Sequence, residues 1–359
     1  MNTARDLGSY TIIDGEKKIN LSSNDYLGLS HNRGVLRSAS SVRQVSPCSS
    51  RLIGGNHEGF RVLESALAKH RNTEAALVYP TGYAACVGVL TALGGENTVI
   101  YSDELNHASI IDGCKLSRSK VKIFPHNNYT QLAEMMKLDG QRKMLVTEGV
   151  FSMDGDSADL GAMTELAEMH DAITVVDDSH GDFIRGPTYS GTPAESGVQV
   201  DVHVSSLSKA LGCFGGYVAT SNKIIELLIN TSRQFIYTSA LPESLCFAAL
   251  TAIRLTMNGT RQQKLRENAE NFFVLLKKLG FSIPNLKSQI IPVAIGDERK
   301  ALDFSQLLFE SGTFAQAIRY PTVAKGSARL RVSITSMHSR RQLEVAAAAF
   351  GKSKRLLNI

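Results

Sequence analysis

Lys209 is the residue of this sequence whose neighbours best suit a nucleophile. It ends the polar stretch at residues 205–209, directly after a hydrophobic run, and a glycine-rich stretch follows at residues 212–216. Small neighbours leave room for a ligand, and a lysine in a partly desolvated pocket loses its proton more easily and can form a Schiff base with a carbonyl group. An ordinary surface lysine in a loop is the alternative.

Asp177, Asp178 and His180 follow another hydrophobic run, at residues 173–176. One carboxylate can pair with a protonated ring nitrogen and make a cofactor a better electron sink, and the histidine can reach a phenolate-type oxygen. Two other interpretations stay open: a strand-end turn held by aspartate hydrogen bonds, and a divalent-metal site. The sequence offers no second cluster in support of a metal site.

Pro80-Thr81-Gly82-Tyr83 predicts a phosphate-binding helix start. This tetrapeptide joins a strand-like run to a helix-like run at residues 84–93, so the first backbone N–H groups of the helix and the positive end of its dipole face outward. Junctions of this kind are common, so the pattern alone does not establish a phosphate site.

Arg329 and Arg331 form a second pattern that suits an anion. They alternate about Leu330 in a predicted strand. Both guanidinium groups then share one face of the strand, where either can hold a carboxylate as a fork. Two arginines that keep an edge strand soluble give the same pattern.

Ser206 and Lys209 also match the S-x-x-K pattern of serine acyl enzymes. The sequence contains none of the K-T-G, S-D-N and G-x-S-x-G motifs that accompany a nucleophilic serine. A serine acyl enzyme stays as a minor alternative, which predicts labelling of the serine by an acylating probe.

Short β-branched runs alternate with helix-like segments between about residues 74 and 220, which predicts a largely parallel, doubly wound α/β sheet. Ligands of such sheets bind beyond the carboxyl ends of the strands, so the polar residues after the runs are expected to converge on one site. The predicted strands are residues 75–79, 98–101, 121–124, 144–147, 173–176, 202–205 and 217–220.

A smaller α/β unit is predicted after Pro242. A long helix at residues 244–279 is expected to end at Gly280. Further strands are predicted at 290–295 and 330–334, helices at 300–310 and 340–349, and a solvated basic end at 352–355. The predicted domains are an N-terminal segment at 1–40, a large cofactor-binding domain at 41–255 and a small C-terminal domain at 256–359.

Composition and charge exclude several classes of protein. With 43% hydrophobic and 20% charged residues, the chain has the composition of a folded soluble protein and not of a disordered or fibrous one. A net charge of +5 is too small and too dispersed for a nucleic-acid-binding surface. The five cysteines form no C-x-x-C pair and are expected to be small buried residues in a reducing compartment.

No membrane segment or export signal is predicted. The apolar run at residues 75–93 is interrupted at Pro80, so it is expected to form a strand and a helix. Residues 1–15 contain no apolar stretch of signal-peptide length, and we expect a cytoplasmic protein.

Several sequence blocks occur together between residues 22 and 338. They are Ser-Ser-Asn-Asp-Tyr-Leu-Gly-Leu at 22–29, Asn-His-Ala-Ser at 106–109, Thr-Glu-Gly-Val-Phe-Ser-Met-Asp-Gly-Asp at 147–156, Asp-Asp-Ser-His-Gly at 177–181, Ser-Lys-Ala at 208–210, and Ala-Ile-Arg at 317–319 followed by Pro-Thr-Val at 321–323. In these blocks the chain resembles the α-oxoamine synthases, pyridoxal-phosphate enzymes of the aspartate-aminotransferase fold (fold type I). The resemblance implies an α/β large domain with a mostly parallel central sheet and a smaller C-terminal α/β domain.

The resemblance also implies a role for each matching residue. Lys209 is expected to form the Schiff base with pyridoxal 5′-phosphate, Asp177 to pair with the pyridine nitrogen, and His107 to stack on the ring. The other expected cofactor contacts are His180 and Ser152 near O3′, Gly82, Tyr83 and Ser206 at the phosphate, and Thr238 from a neighbouring subunit. The expected substrate-binding residues are Asn24, Thr322 and Arg331, and no metal is expected.

The implied reaction joins an amino acid to an acyl thioester in a homodimer whose site lies at the subunit interface. Lys209 is expected to remove the Cα proton, and His107 or His180 to assist the later loss of carbon dioxide. The blocks at 22–29 and 147–156 favour L-alanine and a pimeloyl thioester of biotin synthesis, with a glycine-using acetyltransferase as the alternative. Coenzyme A and an acyl carrier protein both stay open as the carrier, and a non-catalytic protein of the same fold is a further alternative.

Three positions depart from the family's pattern. Ser206 replaces the usual threonine, Phe183 replaces the last glycine of His-Gly-x-Gly, and Pro47 lies in a stretch that is usually glycine-rich. The serine keeps the hydroxyl, whereas the loop after His180 is expected to differ in shape and the segment around Pro47 to be stiffer.

Overall fold

The structure, a computed structural model, describes residues 4–42, 44–137 and 141–359. In chain order, the strands are β1 (Ala4–Asp6), β2 (Tyr10–Ile13), β3 (Glu16–Asn20), β4 (Ala75–Tyr79), β5 (Thr98–Asp103), β6 (Lys120–Phe124), β7 (Arg142–Glu148), β8 (Ala172–Asp177), β9 (Val202–Ser206), β10 (Gly216–Thr220), β11 (Ile290–Gly296), β12 (Thr313–Phe314), β13 (Gln316–Ile318) and β14 (Ala328–Ser333). The α-helices are α1 (Arg33–Ala39), α2 (Glu58–Arg71), α3 (Gly82–Leu93), α4 (Ala108–Leu116), α5 (Tyr129–Met136), α6 (Leu160–Met169), α7 (Thr192–Ser196), α8 (Asn222–Thr231), α9 (Arg233–Ile236), α10 (Glu243–Thr256), α11 (Thr260–Lys278), α12 (Glu298–Glu310) and α13 (Arg340–Leu357), and a π-helical turn spans Arg51–Gly55.

The chain divides into two compact units. The large unit consists of Asn32–Phe151 and Ser157–Met257. The small unit consists of Met1–His31, Ser152–Asp156 and Asn258–Ile359, and is therefore built from three separate pieces of the chain. The division into domains at 1–40, 41–255 and 256–359 stays a prediction.

The large unit contains a sheet with the strand order β4-β10-β9-β8-β7-β5-β6. Pairing is parallel from β9 through β8, β7 and β5 to β6, and β10 runs antiparallel to both β4 and β9. Every strand predicted between residues 75 and 220 lies within one strand of this sheet. The prediction of a mostly parallel α/β sheet is confirmed.

Helices cover both faces of this sheet. On β7, Met144 packs in a core cluster with Leu90 of α3, whereas its neighbour Leu145 packs in a different cluster with Met163 of α6. Successive side chains of a strand point to opposite faces, so both faces are buried. The strand ends are where polar side chains can meet a ligand.

The apolar run at residues 75–93 forms β4 and α3, as predicted. Thr81 caps the helix, because its side chain accepts a hydrogen bond from the Ala84 N–H at 3.0 Å. Among the described residues, no helix is both long enough and apolar enough to span a membrane.

The single helix predicted at residues 244–279 is wrong. The chain forms α10 and α11 instead, and Gly259 lies between them with φ +71°. This left-handed conformation suits glycine, which has no Cβ to clash, and it places Gly259 as the residue before the first turn of α11.

The small unit contains two sheets, with the strand orders β1-β2-β3-β12 and β11-β14-β13. β14 carries Arg329 and Arg331 and pairs on both sides. The two arginines therefore do not lie on an edge strand, which removes the edge-solubility explanation for them.

One expectation about exposure is wrong and another holds in part. Residues 352–355 belong to α13, where Lys352 and Arg355 are exposed as expected, whereas Ser353 is buried and Lys354 Nζ donates to the Gly280 carbonyl at 2.6 Å. Cys48 is exposed, whereas the other four cysteines are buried as expected.

Candidate active site

A cavity of about 220 Å³ opens at the carboxyl end of the large sheet. Its walls come from the ends of β7, β8 and β9, from the starts of α3 and α4, and from the loop between β9 and β10. The lining residues are Thr81, Gly82, Tyr83, His107, Ser109, Glu148, Asp177, Ser179, His180, Ser206, Ser208, Lys209, Phe214 and Gly215. The structure thus brings together seven residues that the sequence singled out: Gly82, Tyr83, His107, Asp177, His180, Ser206 and Lys209.

One wall of the cavity is suited to a phosphate. The first N–H groups of α3, those of Gly82 and Tyr83, have no acceptor within the helix, and the hydroxyls of Ser206 and Ser208 lie 2.7 Å apart on the same wall. A Cβ on Gly216 of β10 would overlap the Gly82 nitrogen. Glycine at this position therefore lets the sheet approach the start of α3 closely.

His107 caps α4 and is held in one tautomer by Ser109. Its Nδ1 accepts a hydrogen bond from the Ser109 N–H at 3.2 Å and lies 2.7 Å from the Ser109 hydroxyl. Since a backbone N–H can only donate, Nδ1 carries no proton and a neutral ring carries its proton on Nε2. Burial lowers the pKa of His107, and the charge of Lys209 acts in the same direction while that of Asp177 opposes it.

Asp177 ends β8, and its carboxylate is oriented by the next turn. Its Oδ1 accepts hydrogen bonds from the Ser179 N–H at 3.1 Å and the Ser179 hydroxyl at 2.6 Å. Asp177 and His180 are both buried, at 8% and 4% exposure, yet both line the cavity. The strand-end turn that the sequence left open therefore exists, and it directs these side chains toward the cavity.

Lys209 lies in the loop between β9 and β10. Three hydrogen bonds close this loop: Leu207 N–H to the Gly215 carbonyl at 3.0 Å, Cys213 N–H to the Leu207 carbonyl at 2.9 Å, and Gly212 N–H to the Lys209 carbonyl at 3.0 Å. The side chain of Lys209 is half-buried and lines the cavity, so it is not an ordinary surface lysine.

Glu148 is the main cavity residue to which the sequence assigned no role, although it lies among the polar strand ends that were expected to converge on one site. It ends β7 at 3% exposure, beside Asp177 in the register of β7 and β8. Asn106 fixes the strand end, because its Oδ1 accepts from the Glu148 N–H at 3.1 Å and its Nδ2 donates to the Val146 carbonyl at 2.9 Å. The signal was a polar residue at the carboxyl end of a parallel strand, which also marks Thr81, Ser179 and Ser208.

Arg331 forms a separate cluster in the small unit. Its Nη1 donates to Asn24 Oδ1 at 3.1 Å and to the Ser333 hydroxyl at 2.8 Å, and its Nε donates to the Ser152 carbonyl. The structure therefore brings together Asn24, Ser152 and Arg331. Nη2 makes a long contact of 3.5 Å with the Tyr26 hydroxyl.

Arg329 of the same strand forms an ion pair with Asp154. The two arginines that the sequence placed together thus differ. Arg329 is matched by a carboxylate from the segment at residues 152–156, whereas Arg331 donates its hydrogen bonds to neutral oxygens of Asn24, Tyr26, Ser152 and Ser333.

Two predicted site residues do not join these groups. Thr322 is exposed in a turn after Pro321. Thr238 is half-buried in the large unit and does not line the cavity of its own chain. Within the described residues, no group of three or more His, Cys, Asp or Glu side chains could hold a metal ion.

Comparisons with known proteins match nearly the whole chain. A model of the family "Aminotransferase class I and II" matches residues 16–350. An 8-amino-7-oxononanoate synthase of Coprothermobacter proteolyticus is 42% identical over 352 residues, which are 96% of this chain and 90% of that protein.

Two solved structures extend this similarity to the fold. A serine palmitoyltransferase variant from S. paucimobilis with bound PLP and myriocin superposes with a TM-score of 0.96 at 28% identity, over 100% of this chain and 93% of that one. An 8-amino-7-oxononanoate synthase from Francisella tularensis superposes with a TM-score of 0.81 at 26% identity, over 95% of this chain and 99% of that one.

Proposed function

Because the chain belongs to the aminotransferase class I and II family, whose cofactor is pyridoxal 5′-phosphate, we propose that it catalyses the decarboxylative condensation of L-alanine with a pimeloyl thioester. The products are 8-amino-7-oxononanoate, carbon dioxide and a free thiol. The observation that carries the proposal is the cavity that gathers Lys209, Asp177 and His107 at one edge of the sheet. The similarity to a curated 8-amino-7-oxononanoate synthase supports this choice of substrates.

The residues of the cavity fit the cofactor. The N–H groups at the start of α3 and the Ser206 hydroxyl suit its phosphate, and the Asp177 carboxylate suits its protonated ring nitrogen. A Cβ on Gly82 would lie 3.0 Å from Ser206 Cβ, so glycine keeps the phosphate wall open. The amine of Lys209 suits its aldehyde.

The bound cofactor supplies an electron sink for the negative charge that develops on the amino acid's Cα. Lys209 supplies the amine that removes the Cα proton. Asp177 keeps a proton at the ring nitrogen, and Ser179 holds that carboxylate in place. His107 offers a fixed Nε2–H donor, because Ser109 occupies its Nδ1.

Arg331 is assigned to the carboxylate of the amino acid. It is 8% exposed, and hydrogen bonds to Ser152, Asn24 and Ser333 fix Nε and Nη1, so the guanidinium is oriented before substrate arrives. Nη2, with its long contact to Tyr26, is the nitrogen best able to take a new acceptor. A guanidinium in this state binds a carboxylate with little loss of side-chain freedom.

A homodimer is part of the proposal. Ile53 and Tyr237 are 85% and 72% exposed although both are large and apolar. Their segments adjoin, because the Ala240 N–H donates to the Ser49 carbonyl at 2.9 Å. An exposed apolar surface of this kind is typical of an interface with another chain. Ile53→Glu should convert a dimer to a monomer in light scattering, and an unchanged mass would refute this assignment of the interface.

Lys209→Ala tests the chemistry, with Lys120→Ala as the matched surface-lysine control. The reaction is followed as thiol released from pimeloyl-CoA with L-alanine, and in parallel from acetyl-CoA with glycine. We expect turnover with L-alanine and pimeloyl-CoA, none for Lys209→Ala, and no change for the control. Turnover by Lys209→Ala would refute the role of the lysine, and turnover confined to glycine and acetyl-CoA would replace the proposed substrates.

A further inference from the structure

Arg71, the last residue of α2, is buried beneath the loop that follows β8. Its side chain is fully inaccessible to solvent. Nε donates to the Tyr217 hydroxyl at 2.9 Å, and Nη1 donates to Asp178 Oδ2 at 3.0 Å and to the Ser190 carbonyl at 2.6 Å. Nη2 lies 3.2 Å from Asp182 Oδ1. One guanidinium thus joins β10 to both ends of the loop.

The loop presents alternate residues to two different environments. Asp177, Ser179 and His180 line the cavity. Asp178 and Asp182 do not line it, and both form ion pairs with Arg71. The position of the cavity residues is therefore set by anchors on the opposite side of the same short segment.

The Asp178 carboxylate is enclosed by hydrogen-bond donors and by closely packed backbone. Its carboxylate accepts hydrogen bonds from the Thr192 N–H at 2.9 Å and from the Thr192 hydroxyl. A Cβ at Gly149, Gly181 or Gly191 would overlap an oxygen of this carboxylate. Backbone therefore packs against the carboxylate on three sides.

The anchor at Asp182 holds the next residue, Phe183, in an unfavourable backbone conformation. Phe183 has φ +61°, a left-handed conformation that L-residues with bulky side chains rarely adopt. Asp182 Oδ1 accepts from the Phe183 N–H at 3.1 Å and from His70 Nε2 at 2.9 Å. The Phe183 ring stacks on His70 with centroids 3.9 Å apart.

The charge of Asp182 is compensated within the cluster, whereas burial raises the pKa of Asp178. Burial alone would raise the pKa of Asp182, but Arg71 together with the hydrogen bonds from His70 and Tyr217 lowers it to about 2. Tyr217 donates to Asp182 Oδ2 at 2.5 Å. The carboxylate is therefore ionised, and Arg71 is its principal counter-charge.

We propose that Arg71 is a positioning residue, which through Asp178 and Asp182 holds the loop in the one arrangement that presents Asp177, Ser179 and His180 to the cavity. The proposal rests on the proposed function and deepens it, because Asp177 and His180 are assigned to the cofactor and Ser179 holds the Asp177 carboxylate. It predicts that loosening the cluster changes the cofactor site without any change in a residue that touches the cofactor.

Tyr217→Phe and Arg71→Lys test the proposal, with Tyr79→Phe as the matched control. Tyr79 and Tyr217 are both fully buried on strands that pair with each other, and the Tyr79 hydroxyl donates to the Ser232 hydroxyl at 3.0 Å, outside the Arg71 cluster. Each tyrosine variant removes one buried hydroxyl, but only Tyr217→Phe removes it from the Arg71 cluster. Tyr217→Phe keeps the ring, so it tests the proposal if Arg71→Lys does not fold.

The first measurement is hydrogen–deuterium exchange of the cofactor-free protein. Peptides that cover residues 178–192 should exchange faster in Tyr217→Phe and Arg71→Lys than in the wild-type protein, and Tyr79→Phe should leave them unchanged. Unchanged exchange of these peptides in both cluster variants would overturn the proposal. This result does not depend on cofactor or turnover, so it is independent of the proposed function.

The second measurement is made on the loaded enzyme. Both cluster variants should bind pyridoxal phosphate more weakly in an absorbance titration, and Arg71→Lys should lower kcat by about tenfold to a hundredfold with a smaller change in KM. The pH dependence of the bound cofactor's visible absorbance should also shift, which a purely structural role would not cause. Faster exchange with unchanged cofactor binding and pH dependence would leave the loop without a positioning role and overturn the proposal.

Discussion

Phe183 gives a test in which glycine should be a better replacement than alanine. Its ring is 1% exposed and stacks on His70, so either truncation removes a well-packed aromatic side chain at a cost of about 3–5 kcal/mol. The difference between the two variants depends on the backbone alone. At φ +61° an alanine keeps the steric cost of the left-handed conformation, about 1–2 kcal/mol, which a glycine does not have.

The net preference at this position is small and favours glycine. Glycine loses about 0.5–1 kcal/mol relative to alanine because its unfolded chain is more flexible. Subtracting this from the steric cost leaves Phe183→Gly more stable than Phe183→Ala by about 0–1.5 kcal/mol, with a midpoint of about 0.75 kcal/mol. The comparison is measured from urea unfolding midpoints of the cofactor-free proteins at a common slope.

Phe60 is the matched control for this comparison. It is also 1% exposed and also stacks on a histidine, His57, with centroids 4.1 Å apart, but it lies in α2. In a helix, glycine is less stable than alanine by about 1 kcal/mol, so the order of the two variants should be reversed at Phe60. The same order at both positions, with alanine the more stable, would refute the strain at Phe183.

Three further predictions concern the candidate site. Ser109→Ala should remove the hydroxyl that lies 2.7 Å from His107 Nδ1 and keep the backbone N–H that sets the tautomer. Because a donor to Nδ1 favours the neutral ring, the pKa of His107 should rise and the acidic limb of the kcat/KM profile should move to higher pH, and Ser109→Thr should reverse this shift. Identical profiles would show that the Ser109 hydroxyl does not lower the pKa of His107. Arg331→Ala should raise KM for L-alanine by more than tenfold, because about 2 kcal/mol or more of interaction with the carboxylate is lost. The absorbance of bound cofactor should stay unchanged. A changed absorbance with an unchanged KM would move Arg331 out of the substrate site. Gly216→Ala should weaken cofactor binding, because its Cβ would overlap the start of α3. The control is Gly161→Ala, whose Cβ would meet Asp159 Oδ1 at 3.4 Å and which should leave cofactor binding unchanged. Equal cofactor affinities of the two variants in absorbance titrations would refute the close approach of Gly216 to α3.

The sequence predicted the large sheet because its strands are buried on both faces, which leaves continuous apolar runs that are easily recognised. The polar residues after these runs also indicated the cavity, since carboxyl ends of parallel strands meet at one edge. The break at Gly259 was missed although Asn258-Gly259 is a typical turn dipeptide, because long helix-favouring runs lie on both sides of it. One glycine in the left-handed conformation decides the outcome there.

The residues that hold the loop after β8 in place could not be predicted from the sequence around each of them. Arg71 meets Asp178 across 107 positions of sequence, and its sequence neighbourhood resembles any helix end that carries basic residues. The sequence showed that Phe183 departs from the family's pattern. It did not show how the fold accommodates this residue, because His70 and Asp182, which hold it, pair only in the folded chain. Thr322, which the motif match assigned to the substrate, is exposed in a turn, and its role stays a prediction.

The discontinuous small unit has a consequence for synthesis on the ribosome. The sheet of β1, β2 and β3 is completed by β12, and Ser22 beyond β3 accepts a hydrogen bond from Gln316, 294 positions later. At a translation rate of roughly 5–20 residues per second, the outer edge of β3 waits about 15–60 s for its partner strand. The strands of the large unit have all emerged by then, while β3 still exposes an unpaired edge. During this interval the nascent chain is most exposed to edge-to-edge aggregation, and a chaperone that covers the edge would prevent it.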